Sequence, residues 1–378
     1  MNYGDNKKYI WQQKEWPHWT FDYKRLDSLL SQATLERGKL LGSMQALGFK
    51  TSEEFCLKAL TSDVVKSSEI EGEKINPESA RSSLARRLGI EVGAFIPPDK
   101  NVDGVVEMVL DATNNHAKPL DENRLFGWHA ALFPTGHSGM HKITVAAFRS
   151  DNEGPMQVVS GGAGREKVHY EAPPANTLKS EIAYFLHWFN HEDKQLNSVI
   201  KAGLAHLWFV TLHPFDDGNG RIGRAICDMA LARADGSPQR FYSLSAQVLH
   251  EREGYYNNLE HAQKGTLDVT DWLEWFLSCL LHAVLNAHEE VNGALYLANL
   301  ASQAGGSLNK RQVKMLDMMM HNFEGKLTTG KWAALTKCST DTALRDIEEL
   351  VSLGALAKAG ESKRGTHYLL ATSRQQEN

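Results

Sequence analysis

His213-Pro214-Phe215-Asp216-Asp217-Gly218-Asn219-Gly220-Arg221-Ile222-Gly223-Arg224 brings a potential base, carboxylates, glycines, an amide and two guanidiniums into one short stretch. The residue before a proline is pushed out of the helical region, so an apolar helix over Val199 to Leu212 must finish at His213. Its imidazole then stands at a helix end rather than within a packed flank. A second helix is expected from about Arg221, with Ile222, Ala225, Ile226 and Met229 on its buried face. Glycine-rich amides running into a helix N-terminus make an anion site. Arg221 and Arg224, three apart in the first turn, reach the same side. Two cations there oppose the helix dipole unless a polyanion is bound. Asp217 is the carboxylate placed to hold Mg²⁺ between phosphates.

Two other readings of this stretch fail. Aligning Gly220 with the glycine of an EF-hand puts Phe215 first and Ile226 last, where carboxylates are required. A bare turn between helices explains the glycines but not the histidine and both arginines.

The rest of the chain sets bounds. Its 378 residues allow more than one domain. The 41 basic and 46 acidic residues leave a net charge of −5, which announces neither nucleic acid nor an anionic membrane. Cys56, Cys227, Cys279 and Cys338 form no close pair, which argues against a disulfide framework or structural zinc and for a reducing compartment. The N-terminus lacks the apolar run of a secretory signal. No apolar stretch approaches the roughly 20 residues a bilayer requires. The expected location is the cytoplasm.

Along the chain, Trp11, Trp16 and Trp19 mark a packing arm, followed by a helix from about Asp22. A helix is expected over about 53–72, with Leu57, Leu60, Val64 and Ser67 on one face. Glu71 continues that face and Gly72 supplies a left-handed stop. A carboxylate in a last helical turn opposes the dipole, so it is either solvated or compensated from outside. Ile96-Pro97-Pro98 reads as a linker. His137 and His141 stand four apart, as ligands on a helix would, but no carboxylate completes a metal site. Residues 156–174 read as a β-hairpin whose Gly161-Gly162-Ala163-Gly164 tip matches no phosphate loop. Asp271 to Ala287 is expected as the last core helix. Beyond Gly305-Gly306-Ser307 come three helical patterns and two short strands flanking a turn with Lys363 and Arg364, the order of a winged helix-turn-helix. Residues 301–378 hold 11 basic and 8 acidic groups, a net of +3, and the would-be recognition helix carries Asp341, Asp346, Glu348 and Glu349 against Arg345. Phosphate attraction dominates DNA affinity, so protein docking or homodimer packing is preferred to DNA binding.

The opening stretch resembles, at every specified position, the Fic (filamentation induced by cAMP) signature H-x-F-x-[D/E]-G-N-G-R-x-x-R. Ser67-x-x-x-Glu71-Gly72 looks like that family's inhibitory [S/T]-x-x-x-E-[G/N] helix. Residues 156–174 look like its target-binding flap, and Tyr255-Tyr256-Asn257-Asn258-Leu259 like the segment lining its adenine pocket. The resemblance implies a mainly α fold: an N-terminal helical region over 1–100, a helical Fic-type core with a β-hairpin flap over 101–290, and a winged helix over 301–378. It implies AMP transfer from ATP, with Mg²⁺, to a hydroxyl of a target protein docked on the flap. His213 would be the general base, Phe215 the loop anchor and Asp217 the metal ligand. Gly218, Asn219 and Gly220 would bind the α- and β-phosphates, Arg221 the β-phosphate and Arg224 the γ-phosphate. Ile222, Gly223, Tyr256 and Asn257 join them as nucleotide contacts. Glu71, on the helix with Ser67, would pair with Arg224 and inhibit the enzyme in cis. The rival expectations are removal of AMP from modified proteins, and a DNA-binding regulator whose core only senses nucleotide.

Overall fold

The computed structural model describes residues 8–47, 49–91, 100–152, 154–161, 165, 167–191, 195–303, 308–321, 323, 325–359 and 366–371. The Ile96-Pro97-Pro98 linker, the Gly162–Gly164 part of the hairpin tip, the Gly305-Gly306-Ser307 shift and the Lys363–Arg364 turn lie outside the described residues. Two compact units divide the chain, residues 1–287 and 288–378.

The first unit runs through α1 (Tyr23–Ala46), α2 (Phe49–Ile70), α3 (Pro77–Leu88), α4 (Lys100–Asn114) and α5 (Glu122–Leu132). Two antiparallel ribbons follow, β1 (His137–Ser138) with β2 (His141–Lys142) and β3 (Gln157–Ser160) with β4 (Lys167–Glu171). Then come α6 (Leu178–Asn190), α7 (Ser198–Leu212), α8 (Asn219–Asp235), α9 (Leu244–His250), α10 (Arg252–Lys264) and α11 (Thr270–Gln303), whose residues from 288 onward belong to the second unit. His137 and His141 therefore sit on paired strands, not on one helix face. Among the described residues no group of three or more His, Cys, Asp or Glu could hold a metal ion.

The centre is α7, apolar along nearly its whole length and buried from Val199 through Leu212 except at Lys201. It packs along α8. Gly223 makes that approach close, since a Cβ there would stand 2.7 Å from Val210 Cγ1. The N-terminal tryptophans finish the same core: Trp16 and Trp19 meet Trp208 edge-on at 6.2 and 6.0 Å. Trp16 Nε1 also donates to Glu181 at 3.1 Å.

Two features fix α2. Its Leu57, Leu60, Val64 and Ser67 are buried, and it packs on α9, α3 and α8. Asp63, buried on the same face as Leu60 and Ser67, accepts from Ser243 Oγ at 2.6 Å and from Ser245 N at 3.2 Å. Burial and the neighbouring Asp228 push the Asp63 carboxyl up to about 7. At the crossing of α4 and α5, a Cβ on Gly104 would stand 1.8 Å from the Ala131 carbonyl oxygen. A main-chain oxygen cannot swing aside. Gly104→Ala is therefore expected to cost about 1–3 kcal/mol by overpacking, despite gaining up to about 1 kcal/mol of helix propensity. A lower urea midpoint at unchanged slope checks it.

The helix expected to end near Ala287 instead runs to Gln303. Buried Val291 and Leu300 carry its apolar pattern onward, and the helix passes through Gly293 without stopping. In the second unit, α12 (Lys310–His321), α13 (Thr329–Thr336), α14 (Thr340–Ser352), β5 (Leu356–Ala359) and β6 (His367–Leu370) enclose Met315, Leu316, Trp332, Ile347, Leu350 and Tyr368. Counting all of α14's acids as surface charge needs correction. Asp346 is 4 % exposed and accepts from Arg311 Nε at 2.7 Å and Asn309 Nδ2 at 2.8 Å. Glu349 accepts from Gln312 at 2.8 Å.

Candidate active site

Leu212 is the last helical residue of α7, and His213 caps it in the left-handed region at φ 48°, ψ 57°. Holding a non-glycine residue there costs about 1–3 kcal/mol. The surroundings supply the restraint. Pro214 follows, and Arg149 N donates to the Pro214 carbonyl at 2.9 Å. The buried Arg149 guanidinium donates from Nε to the His213 carbonyl at 2.8 Å and from Nη2 to the Pro173 carbonyl at 2.6 Å. One side chain thereby ties the motif to the end of the β3–β4 hairpin. His213 Nδ1 lies 3.2 Å from the Val210 carbonyl. A carbonyl only accepts, so Nδ1 carries the proton and Nε2 keeps its lone pair. Burial lowers the His213 pKa below 6.5, against the Val210 bond, which raises it.

The loop is closed from inside. Phe215 is fully buried and stacks on His129 at 4.3 Å and 11°. Asn219 Oδ1 accepts from Phe215 N at 3.0 Å while its Nδ2 donates to Phe215 O at 2.8 Å. The Asn219 side chain is thus committed to the loop, leaving its main chain for a ligand. Gly218 at φ 82° caps α8 two residues earlier than expected, because left-handed backbone comes freely to glycine. Ile222 is buried in the core and Gly223 faces Val210, so neither presents a side chain to the site.

His129 Nδ1 accepts from Ala146 N at 3.1 Å, which leaves Nε2 to donate to the Asp217 carbonyl at 3.2 Å. Asp217 Oδ1 accepts from Gly218 N at 2.5 Å, and Oδ2 from Ser138 Oγ. The carboxylate is half-buried and fixed. Alone it is no cage for a cation, but it fits one shared with phosphate oxygens.

Both arginines are occupied. Arg224, 5 % exposed, donates from Nη2 to Glu71 Oε1 at 2.7 Å and to Ser67 O at 2.8 Å, and from Nε to Ser67 Oγ at 2.9 Å. Arg221, 2 % exposed, donates from Nη1 to Glu73 Oε2 at 2.6 Å and lies 5.0 Å over the Phe133 ring. Gly72 at φ 83° turns the chain so that both glutamates face α8. A Cβ on Gly220 would stand 2.1 Å from Glu71 Oε1, so the carboxylate lies against the first turn of α8. Among the described residues, Arg221 Nε and Arg224 Nη1 are buried without a hydrogen-bond partner, an expensive state that an added anion would relieve. Tyr256 and Asn257 are exposed on α10. The Tyr256 hydroxyl donates to the Ile70 carbonyl at 3.4 Å, beside Glu71. A cavity of about 410 Å³ lined by Arg87, Asp111 and Arg124 shares no residue with the motif. Beside Arg224, Tyr255, Trp272 and Phe276 enclose about 20 Å³.

His129, Arg149, Ser138 and Glu73 are the contributors that sequence reading did not single out. Only Glu73 carried a signal, as a second carboxylate across Gly72 from Glu71.

The Fic/DOC family model matches residues 119–231, and a domain of unknown function, DUF4172, matches residues 9–90. Residues 119–231 form a Fic/DOC family domain. The chain is similar to a uridine 5'-monophosphate transferase of Xanthomonas campestris pv. campestris (strain 8004), 43% identical over 123 residues, 30% of this chain and 21% of that protein. A protein adenylyltransferase Fic of Culex quinquefasciatus is 27% identical over 281 residues, 68% of this chain and 50% of that protein. This chain thus spans half or less of either relative's length. A Fic domain containing signaling protein from Bacteroides thetaiotaomicron VPI-5482 shares the fold at a TM-score of 0.50 and 18% identity, covering 68% of this chain and 98% of that one.

Proposed function

We propose that the chain is a protein adenylyltransferase whose Fic domain is held inactive by its own N-terminal helix. The observation that carries this is the pairing of both first-turn arginines of α8 with Glu71 and Glu73. These carboxylates sit where the β- and γ-phosphates of ATP would be gripped. With them withdrawn, Arg221, Arg224 and the first-turn amides of α8 hold the triphosphate. His213 Nε2 takes the proton from a target hydroxyl, whose oxygen bonds to the α-phosphorus. The bond to the β-phosphate oxygen breaks, and pyrophosphate leaves with the two phosphates held by the arginines. Asp217, fixed by Gly218 and Ser138, would hold Mg²⁺, which neutralises charge on the phosphates. Little covalent work remains for the protein beyond positioning and electrostatics.

The division we propose is regulatory over 1–100, catalytic over 101–290 and a protein-docking winged helix over 301–378. The target docks on residues 156–174, where, among the described residues, β3 pairs only with β4 and an extended segment can add to its other edge. Among the described residues no helix is long and apolar enough to cross a membrane.

The relative named as a uridine 5'-monophosphate transferase makes the choice of base the feature to test. Cell lysate incubated with the protein, Mg²⁺ and either ATP or UTP labelled at the α-phosphate should take up label from ATP. Labelling from UTP alone would replace adenylylation with uridylylation.

A further inference from the structure

A side-chain relay outside the Fic motif joins the hairpin to α10. Ser160 Oγ lies 2.6 Å from His169 Nε2, and His169 Nδ1 lies 2.6 Å from Glu260 Oε2. Lys264 Nζ holds the other carboxylate oxygen at 2.5 Å. Partial burial alone would raise the Glu260 pKa, but the bonds from Lys264 and His169 carry it down to about 2. An ionised Glu260 only accepts, so Nδ1 of His169 carries a proton, and in the neutral tautomer Nε2 accepts the hydrogen bond from the Ser160 hydroxyl. Hydroxyl, imidazole and carboxylate stand in the order that activates a serine oxygen.

We propose that Ser160 is a modification site, an acceptor hydroxyl for the adenylyl group with its own proton acceptor, His169, and orienting carboxylate, Glu260. This rests on the adenylyl-transfer reading above. Three observations select an acceptor over an independent hydrolase. Ser160 is exposed at the end of β3, open to a large reagent. Among the described residues, no helix N-terminus or guanidinium bonds its oxygen, so the relay lacks the donors that stabilise charge on an attacked group. In the adenylyl-transfer reading, the phosphate grip on α8 would supply them. The relay also hangs on elements that reach that grip: Tyr170, next to His169, donates to the Thr211 carbonyl at 2.7 Å, and Glu260 lies one turn beyond Tyr256, which touches Ile70. In the step, Ser160 Oγ bonds to the α-phosphorus of ATP and its proton passes to His169 Nε2. The bond from α-phosphorus to the β-phosphate oxygen breaks, and pyrophosphate leaves.

The test is peptide mapping by mass spectrometry of full-length Glu71→Gly protein after incubation with ATP and Mg²⁺. An adenylyl group on Ser160 is expected, lost in Ser160→Ala and retained in Ser160→Thr. Within the Glu71→Gly background, His169→Ala should lower the Ser160 adduct by about 10²–10⁴-fold, with partial recovery on adding imidazole, which replacing a mere structural pin would not give. Glu260→Gln, nearly isosteric, should lower it less and guards against loss of folding in His169→Ala. Lysate proteins labelled while Ser160 stays bare would overturn this site alone. Label on no protein would overturn it together with the adenylyl-transfer reading. An undiminished adduct in His169→Ala would also overturn it.

Discussion

His213→Ala lowers transfer of label from ATP to lysate proteins by about 10²–10⁴-fold, the usual worth of a positioned general base. The expectation comes from its tautomer and its place. The Val210 carbonyl accepts from Nδ1, so Nε2 is the ring's free base, and His213 caps α7 in left-handed backbone instead of lying within the helix. Thermal stability should change little, since the constraints from Arg149 act on main-chain carbonyls and stay in place. The pH dependence follows from the lowered pKa. Protonation abolishes the base, and burial disfavours the protonated form. The wild-type rate should therefore stay level through neutral pH and fall only on acidification below about 6.5, the unperturbed histidine value. A Glu71→Gly background gives the rate enough signal for this profile. An unchanged rate in His213→Ala would remove the residue from the mechanism.

Glu71→Gly should raise labelling by about 5–150-fold, the span of a coupling free energy of about 1–3 kcal/mol. The Arg224 side chain is 5% exposed and that of Glu71 29%, so their attraction is only partly screened by water. Removing the carboxylate leaves a buried guanidinium whose favourable partner becomes the γ-phosphate. Glu73→Gln should give a smaller rise, because the Glu73 side chain is 45% exposed and such pairs are worth little. Combining the two changes tests whether they act on one equilibrium: neighbouring sites coupled through one stretch of backbone deviate from additivity. Titrating ATP with each variant separates tighter nucleotide binding from faster transfer.

The landmarks around the motif were legible because they depend on local backbone chemistry. A histidine before proline, glycines at positive φ and a 3.6-residue apolar repeat place the end of α7, the start of α8 and the buried face of α2. Contributors that arrive from distant segments were not legible. His129 under Phe215, Arg149 on the His213 carbonyl and Ser138 on Asp217 are ordinary residues until the chain folds. Glu73 was visible as a charge, but its partner Arg221 lies 148 positions away. The length of α11 was missed because an apolar repeat continues through Val291 and Leu300. The charge reading of α14 went astray at Asp346 for a related reason. Sequence counts a carboxylate without saying that Arg311 has already taken it inside.

The most direct test of nucleotidyl transfer under an intramolecular latch compares two labels on one variant. Glu71→Gly protein and wild type are incubated with lysate, Mg²⁺ and ATP labelled either at the α- or at the γ-phosphate. Label should reach protein from α-labelled ATP, more with Glu71→Gly than with wild type, and none from γ-labelled ATP. Transfer of the γ-label, or equal transfer of the α-label by both proteins, would contradict it.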